Sequence, residues 1–200
     1  LYSVAPGDTT TVVVSFIPVA AGNFNDAVVF ASNGGASTNA VTGTGLTPGQ
    51  IGISPVTLNF GTIVTGSTTS RVFTIFNGGG TDVTNGIATL DGGPFAITST
   101  NEFDVPAGNS TNIVMQFSPV VAGAFTNTVT FDSANGGSST NLVIGIGADV
   151  PVAAFNAAPT NGVVPFAVTF TDTSTGTINT RAWNFGDGAT LTTNATTITH

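Results

Sequence analysis

The sequence contains no cysteine and no lysine, and its only arginines are Arg71 and Arg181. Each absence removes a class of chemistry. Without cysteine there is no disulfide framework, no thiol nucleophile and no cysteine-ligated zinc. Without lysine there is no Schiff-base chemistry and no Lys–Asn isopeptide crosslink. Two arginines among ten acidic residues, at a formal net charge of −8, cannot form a basic patch. A nucleic acid backbone needs several Lys/Arg contacts, so nucleic acid is not an expected partner. An acidic membrane surface is disfavoured for the same reason. No apolar run approaches the roughly 18 residues of a membrane span. Charged residues make up 6% of the chain, against about 25% in an ordinary soluble domain. Most enzyme chemistries lack parts here, so no catalytic residue and no cofactor is expected.

What is present points to β structure. Apolar residues make up 40% of the 200-residue chain, with 15 Phe, one Trp and one Tyr, alongside 26 Gly and 36 Thr. That is enough apolar material for a packed core. The length fits one or two domains. Leu1 opens directly into YSVAPGDTTTVVVSF, with no basic segment followed by an apolar one. It reads as a chain that begins inside a module.

An internal repeat organises the chain. Residues 2–45 align with residues 103–147 at an offset of 101, which becomes 102 after one inserted residue near Ala134. Tyr2 matches Phe103. Phe16-Ile17-Pro18 matches Phe117-Ser118-Pro119, and Ala21-Gly22 matches Ala122-Gly123. Phe24, Val28 and Phe30 match Phe125, Val129 and Phe131. Gly43-Thr44-Gly45 matches Gly145-Ile146-Gly147. The unit is about 100 residues long, and its first copy holds only the C-terminal half. Within the unit, residues 112–117 put Ile113, Met115 and Phe117 on one face, residues 71–76 put Phe73 and Ile75 together, and Phe125, Val129 and Phe131 alternate with Thr126, Thr128 and Thr130. Period-2 patterns of this kind read as half-buried strands. Turn signals such as Asn77-Gly78, Asp91-Gly92 and Ala122-Gly123 separate them. Short strands at roughly ten-residue spacing predict an antiparallel β-sandwich.

The stretch Pro55-Val56-Thr57-Leu58-Asn59-Phe60-Gly61, followed by Phe73-Thr74-Ile75-Phe76-Asn77-Gly78-Gly79, resembles the opening of an immunoglobulin-like module. Bacterial versions are called choice-of-anchor D repeats, and they are related to the abnormal-spindle/hydin type. Val105-Pro106-Ala107-Gly108, Phe117-Ser118-Pro119 and Gly145-Ile146-Gly147 complete the pattern. The final segment is similar to a polycystic-kidney-disease-type (PKD) repeat. It carries Val168-Thr169-Phe170-Thr171-Asp172-Thr173-Ser174 and Trp183-Asn184-Phe185-Gly186-Asp187-Gly188. Asn184 stands where that family more often has Asp, and His200 stands where its His-x-Tyr step begins. The expected class is all-β, as tandem immunoglobulin-like antiparallel β-sandwiches. The expected units are the C-terminal half of a module (1–46), a complete module (47–148) and a PKD-like domain lacking its final strands (149–200).

Few residues invite a chemical role. The two Gly-x-Gly motifs are not phosphate loops, because no helix follows them; they read as strand ends. Asp172 and Asp187 are calcium candidates, although calcium wants several converging oxygens, and Gly186-Asp187-Gly188 reads more simply as a turn. A carboxylate pair for glycoside chemistry is short of partners, with Glu102 the sole glutamate. His200 has no evident partner, and Arg71 and Arg181 read as surface ion-pair residues. Asn109 and Asn194 head glycosylation sequons. The residues expected to carry structure are Trp183, Phe185, Gly186, Asp187, Gly188, Phe117, Pro119, Phe16 and Pro18.

These resemblances imply a non-catalytic segment of a large secreted or cell-surface protein, a stalk, adhesin or fibre block. The implied partners are other domains of the same protein, further copies of the chain, and a carbohydrate or protein ligand. A half module also exposes strand edges that a neighbouring copy can fill, which would give a head-to-tail filament. Two other readings are an accessory region of a secreted hydrolase and a hydin-like cytoplasmic scaffold. The second fits poorly with a chain that lacks lysine.

Overall fold

A computed structural model describes residues 2–200. Among the described residues every regular element is a strand, and no helix is long and apolar enough to cross a membrane.

The central sandwich occupies the middle of the chain. Its strands are β3 (Ile51–Ser54), β4 (Thr57–Val64), β5 (Thr69–Asn77), β6 (Val83–Leu90), β7 (Phe95–Ile97), β8 (Glu102–Val105), β9 (Ser110–Phe117), β10 (Gly123–Ser133) and β11 (Gly137–Ala148). One sheet has the order β4-β11-β10-β6-β8 and the other β3-β5-β9-β7. All pairs are antiparallel except β4 with β11, which run parallel. The alternation seen in the sequence is the burial pattern of these strands. On β9, Ile113, Met115 and Phe117 face inward, and on β10 Val129 and Phe131 do. They meet Leu58, Phe60, Phe73, Ile75, Phe95 and Val143 in one continuous core. Phe117 sits at its centre, stacked on Phe95 at 4.7 Å and tilted against Phe60 at 5.6 Å.

Asn77 is a fully buried polar residue that ties this sandwich together. Its side-chain oxygen accepts from the amides of Gln50 and Gly79, at 3.1 and 2.9 Å. Its Nδ2 donates to the carbonyls of Thr81 and Val105, both at 2.9 Å. Full satisfaction is what makes such burial tolerable. In the sequence, Asn77-Gly78 reads only as a turn.

Before the sandwich lies a hairpin, β1 (Gly22–Ser32) with β2 (Gly35–Gly45), which forms a sheet of its own. Its register reproduces that of β10–β11. Gly22 pairs with Gly45 and Ser32 with Gly35, as Gly123 pairs with Gly147 and Ser133 with Gly137. The inserted residue falls in the turn, which is Asn33-Gly34 in the first copy and Ala134-Asn135-Gly136 in the second. Gly22 and Gly123 share the same left-handed-side backbone, φ 140° and 141°, which a side chain would strain. Residues 11–16 carry the pattern of β9 but belong to no sheet.

After the sandwich come β12 (Phe155–Ala158), β13 (Thr169–Asp172), β14 (Arg181–Asn184), β15 (Thr190–Thr193) and β16 (Thr197–Thr199). They form a three-stranded sheet, β12-β13-β16, and a two-stranded sheet, β14-β15. None of their large apolar side chains reaches full burial.

Candidate functional site

The chemistry-bearing residues of the chain concentrate in residues 149–200. Trp183 on β14 meets Phe155 and Phe170 edge-on, at 5.6 and 5.9 Å. Phe185 meets Phe170 at 5.4 Å. Alternation on β14 puts Trp183 and Phe185 on one side, as their spacing of two predicts. With Asp172 and Arg181 these rings line a cleft of about 420 Å³. The Trp183 indole nitrogen is buried and has no hydrogen-bond partner.

Asp172 lies at the edge of the cleft with both oxygens engaged. Oδ1 accepts from the Ser174 amide at 3.0 Å and from the Ser174 hydroxyl, and Oδ2 accepts from Arg181 Nε. The Ser174 hydroxyl and then the Arg181 guanidinium hold the Asp172 carboxyl at about 2, below its ordinary 3.8. Ser174 Oγ, its hydroxyl proton given to Asp172, accepts from the Ala154 amide at 3.0 Å. The D-x-S spacing therefore builds a clasp between β13 and the start of the segment. Arg181 supplies the positive charge that a cation would otherwise bring.

Asp187 sits in the Gly186-Asp187-Gly188 turn and caps it, its Oδ1 accepting from the Ala189 amide at 2.9 Å. Asn184 does the same for Gly186 at 3.0 Å. Such side-chain-to-backbone bonds are the ordinary work of Asp and Asn in turns. Asp187 Oδ2 also lies 2.7 Å from His200 Nε2. The Ala189 amide, and then His200, hold this carboxyl below its usual value. His200 stacks on Phe185, ring centres 4.0 Å apart and 8° from parallel. The sequence left His200 without a partner; the turn brings it two. Arg181 finds its carboxylate in a partly buried site rather than on the surface, while Arg71 pairs with no carboxylate among the described residues. Among the described residues no group of three or more His, Cys, Asp or Glu side chains could hold a metal ion.

The Gly-x-Gly motifs have a packing role that spacing alone did not disclose. A Cβ on Gly145 would stand 2.6 Å from the Phe117 ring, and one on Gly147 would stand 2.4 Å from the Val121 carbonyl. In the first copy, Gly43 would meet Phe16 at 2.8 Å and Gly45 the Ala20 carbonyl at 2.2 Å. The bare backbone is the floor on which each Phe-x-Pro segment lies. Pro119 is fully buried there, and Pro18 is exposed. Asn109 and Asn194, which head the sequons, are exposed.

Residues 47–50 and 148–149, on either side of the central sandwich, are hydrogen-bonded to it. The Gly80 amide donates to Thr47 Oγ1 at 2.7 Å, and the Gly78 amide to the Gln50 carbonyl at 2.8 Å. Thr65 Oγ1 donates to Asp149 Oδ1 at 3.0 Å, and the Thr65 amide to the Ala148 carbonyl at 2.9 Å.

Residues 49–146 match the family described as HYDIN/CFA65/VesB-like, Ig-like domain. No curated protein matches the sequence. Among solved structures, the chain is similar to an ASH/PapD-like domain of human CEP192, at 13% identity and a TM-score of 0.45, over 50% of this chain and 87% of that one. It is also similar to a protein of unknown function from Porphyromonas gingivalis W83, at 16% identity and a TM-score of 0.42, over 64% and 67%. The VesB protease of Vibrio cholerae gives 16% identity and a TM-score of 0.36, over 50% and 31%. With its two facing sheets, its single core and the family match over residues 49–146, the central sandwich has an Ig-like fold.

Proposed function

We propose that the chain is a load-bearing, non-catalytic segment of a secreted or cell-surface protein, a stalk or fibre block built of tandem β-sandwiches. The observation that carries this reading is the parallel pairing of β4 with β11. Thr57–Val64 lies beside Leu142–Ala148, running in the same direction. Tension entering at the start of β4 and leaving at the end of β11 loads that ladder along the strands. Its hydrogen bonds then share the force instead of opening one at a time. On the N-terminal side residues 47–50 and β3 are bonded to the Gly78–Gly80 turn and to β5, and on the C-terminal side Ala148 and Asp149 are bonded to Thr65, so no slack stretch adjoins the sandwich. The scarcity of charge and of trypsin sites suits an exposed extracellular setting. On this reading residues 1–46 are the C-terminal half of a choice-of-anchor D-like module, residues 47–148 a complete one and residues 149–200 a PKD-like domain, and further copies of the chain are partners.

Single-molecule pulling from the two ends of the chain tests it. The expected record is one step of about 30 nm, the length released when the residues between the clamp strands extend. Its force should lie clearly above the force that unzips β1–β2, whose antiparallel ends part bond by bond. A central sandwich that comes apart in several small steps, at hairpin-like forces, would overturn the reading.

A second reading, the accessory binding region, is favoured by one feature, the aromatic cleft. Its Phe155, Phe170 and Trp183 rings suit a ligand with an apolar face, such as a sugar ring or an extended peptide. Trp183 is the sole tryptophan, so its fluorescence reports the cleft directly. A saturable shift with soluble polysaccharide, lost in Phe155→Ala, supports binding; a flat titration into the millimolar range removes it.

A further inference from the structure

Asn33, Asn77, Asn85, Asn135 and Asn161 each precede a glycine. In this dipeptide the glycine amide nitrogen can reach the asparagine side-chain carbonyl carbon, because no Cβ stands in the way. As dipeptides the five are equivalent. The fold sorts them by whether nitrogen and side chain are free to meet. Asn77 is locked on both counts. Its Oδ1 and Nδ2 are fully bonded, and the Gly78 amide donates to the Gln50 carbonyl at 2.8 Å. Asn135 lies at the surface but is locked in the same way. Its Oδ1 accepts from the Thr84 amide at 3.0 Å and its Nδ2 donates to the Asp82 carbonyl at 2.8 Å. The Gly136 amide donates to Ser133 Oγ at 3.0 Å. After Asn85, Gly86 is buried opposite Phe103, and a Cβ on it would stand 2.2 Å from that ring. After Asn33, the Gly34 amide donates to Ser32 Oγ at 3.1 Å.

Asn161-Gly162 differs from the other four. Both residues are exposed, in the loop between β12 and β13. Among the described residues, neither the Asn161 side chain nor the Gly162 amide makes a hydrogen bond. Phe166 lies against Gly162, 2.1 Å from where a Cβ would stand. That contact reserves the position for glycine and leaves its nitrogen without a partner. We propose that Asn161 is a site of non-enzymatic modification, converting to aspartate and isoaspartate while the fold holds back the other four asparagines. The Gly162 nitrogen gives its proton to hydroxide and attacks Asn161 Cγ. The N–Cγ bond forms, the Cγ–Nδ2 bond breaks, and ammonia leaves from a closed succinimide ring. Water then opens the ring at either carbonyl, giving aspartate or isoaspartate. The net change is loss of ammonia and gain of water, with no oxidant or reductant. Adjacency of the two groups supplies the rate advantage. Each product adds a negative charge to the β12–β13 loop, and isoaspartate also lengthens its main chain by a methylene. The reaction does not depend on whether the chain bears load.

The test incubates the full chain in mildly alkaline buffer, samples it over time and digests it with pepsin at acid pH. Mass spectrometry reads each Asn-Gly peptide, and an isoaspartyl methyltransferase labels the rearranged product. Asn161 should convert fastest. Asn77, Asn85 and Asn135 should convert at least about a hundredfold more slowly, since a held amide reacts only through local opening. Asn33, held by one local bond, should fall between. The same incubation in concentrated guanidinium should bring the five rates together. Asn161→Ser should remove most of the label from the folded chain and leave the other four rates unchanged. Conversion of Asn77 or Asn135 in the folded chain as fast as Asn161 overturns the inference. So does an Asn161 that stays intact while Asn33 converts. An order of rates that persists in guanidinium overturns it as well, since neighbouring residues and not the fold would then set it.

Discussion

The hairpins β1–β2 and β10–β11 have the same register, the same pair of glycines, one under a phenylalanine ring and one against a backbone carbonyl, and the same edge-on Phe pair. They differ in what lies against them. Phe117 is fully buried beneath Phe60 and Phe95, while Phe16 is half exposed. Thus the hairpin, its turn and the aromatic-over-glycine contact are local properties that form without a core. Strand status at residues 11–16 is not local. The same alternation is a strand at 112–117 because β5 and β7 are there to pair with it, and tertiary neighbours decide β structure more than propensity does.

The largest effect should separate the two phenylalanines. Phe117→Ala removes a ring from the centre of a closed core and should cost about 3–5 kcal/mol of central-sandwich stability. Phe16→Ala removes a half-solvated ring and should leave that stability unchanged. Urea titration followed by hydrogen exchange at β9–β11 reads both, and equal losses would show that the first copy also contributes to the central core. Next comes Asn77→Ala. It strands the Gln50 and Gly79 amides and the Thr81 and Val105 carbonyls, and buried unpaired groups cost about 1–3 kcal/mol. Exchange of the Gln50 and Gly79 amides should rise most, which localises the loss to the connecting segment that Asn77 holds.

Much of this organisation was legible in the residues. Period-2 alternation located β5, β9 and β10, and the repeat offset located the twin hairpin because each position keeps its residue type. Asn77 was not legible, since Asn-Gly is also a common turn signal and only burial distinguishes a hub from a turn. Nor was the Asp172–Arg181 pair, whose partners come from different strands. The D-x-S spacing was visible, but its meaning depends on Ala154 arriving beside Ser174. The glycines at 43, 45, 145 and 147 read as strand ends; their role as a floor for Phe16 and Phe117 needs the crossing segment in place.

Filling that floor sharpens the comparison further. Gly145→Ala drives a methyl into Phe117, which has no free space to yield, and overpacking of this sort costs about 1–3 kcal/mol. Gly43→Ala makes the same contact with Phe16, which can swing toward solvent. Central-sandwich stability should fall in the first variant only. In the second, the loss of the Phe16–Phe24 contact should be confined to nuclear Overhauser effects within residues 16–43.

Acid extends the comparison to the last segment, which lacks a closed apolar core and relies on polar clasps. The Asp172 carboxyl is held at about 2 against its ordinary 3.8. A depressed acid contributes stability that is present above the unfolded value and is lost as pH falls through the folded one. The clasp should therefore hold at pH 5 and fail progressively between about 4 and 2. The central sandwich has no ion pair among the described residues, so it should outlast the clasp. Trp183 emission followed from pH 5 to 2, against β9–β11 amide signals over the same range, separates the two regions. Asp172→Asn removes the carboxylate, and with it the part of the Trp183 transition that belongs to this window. A variant whose acid transition matches that of the unaltered chain would show that some group other than Asp172 governs the loosening of the cleft.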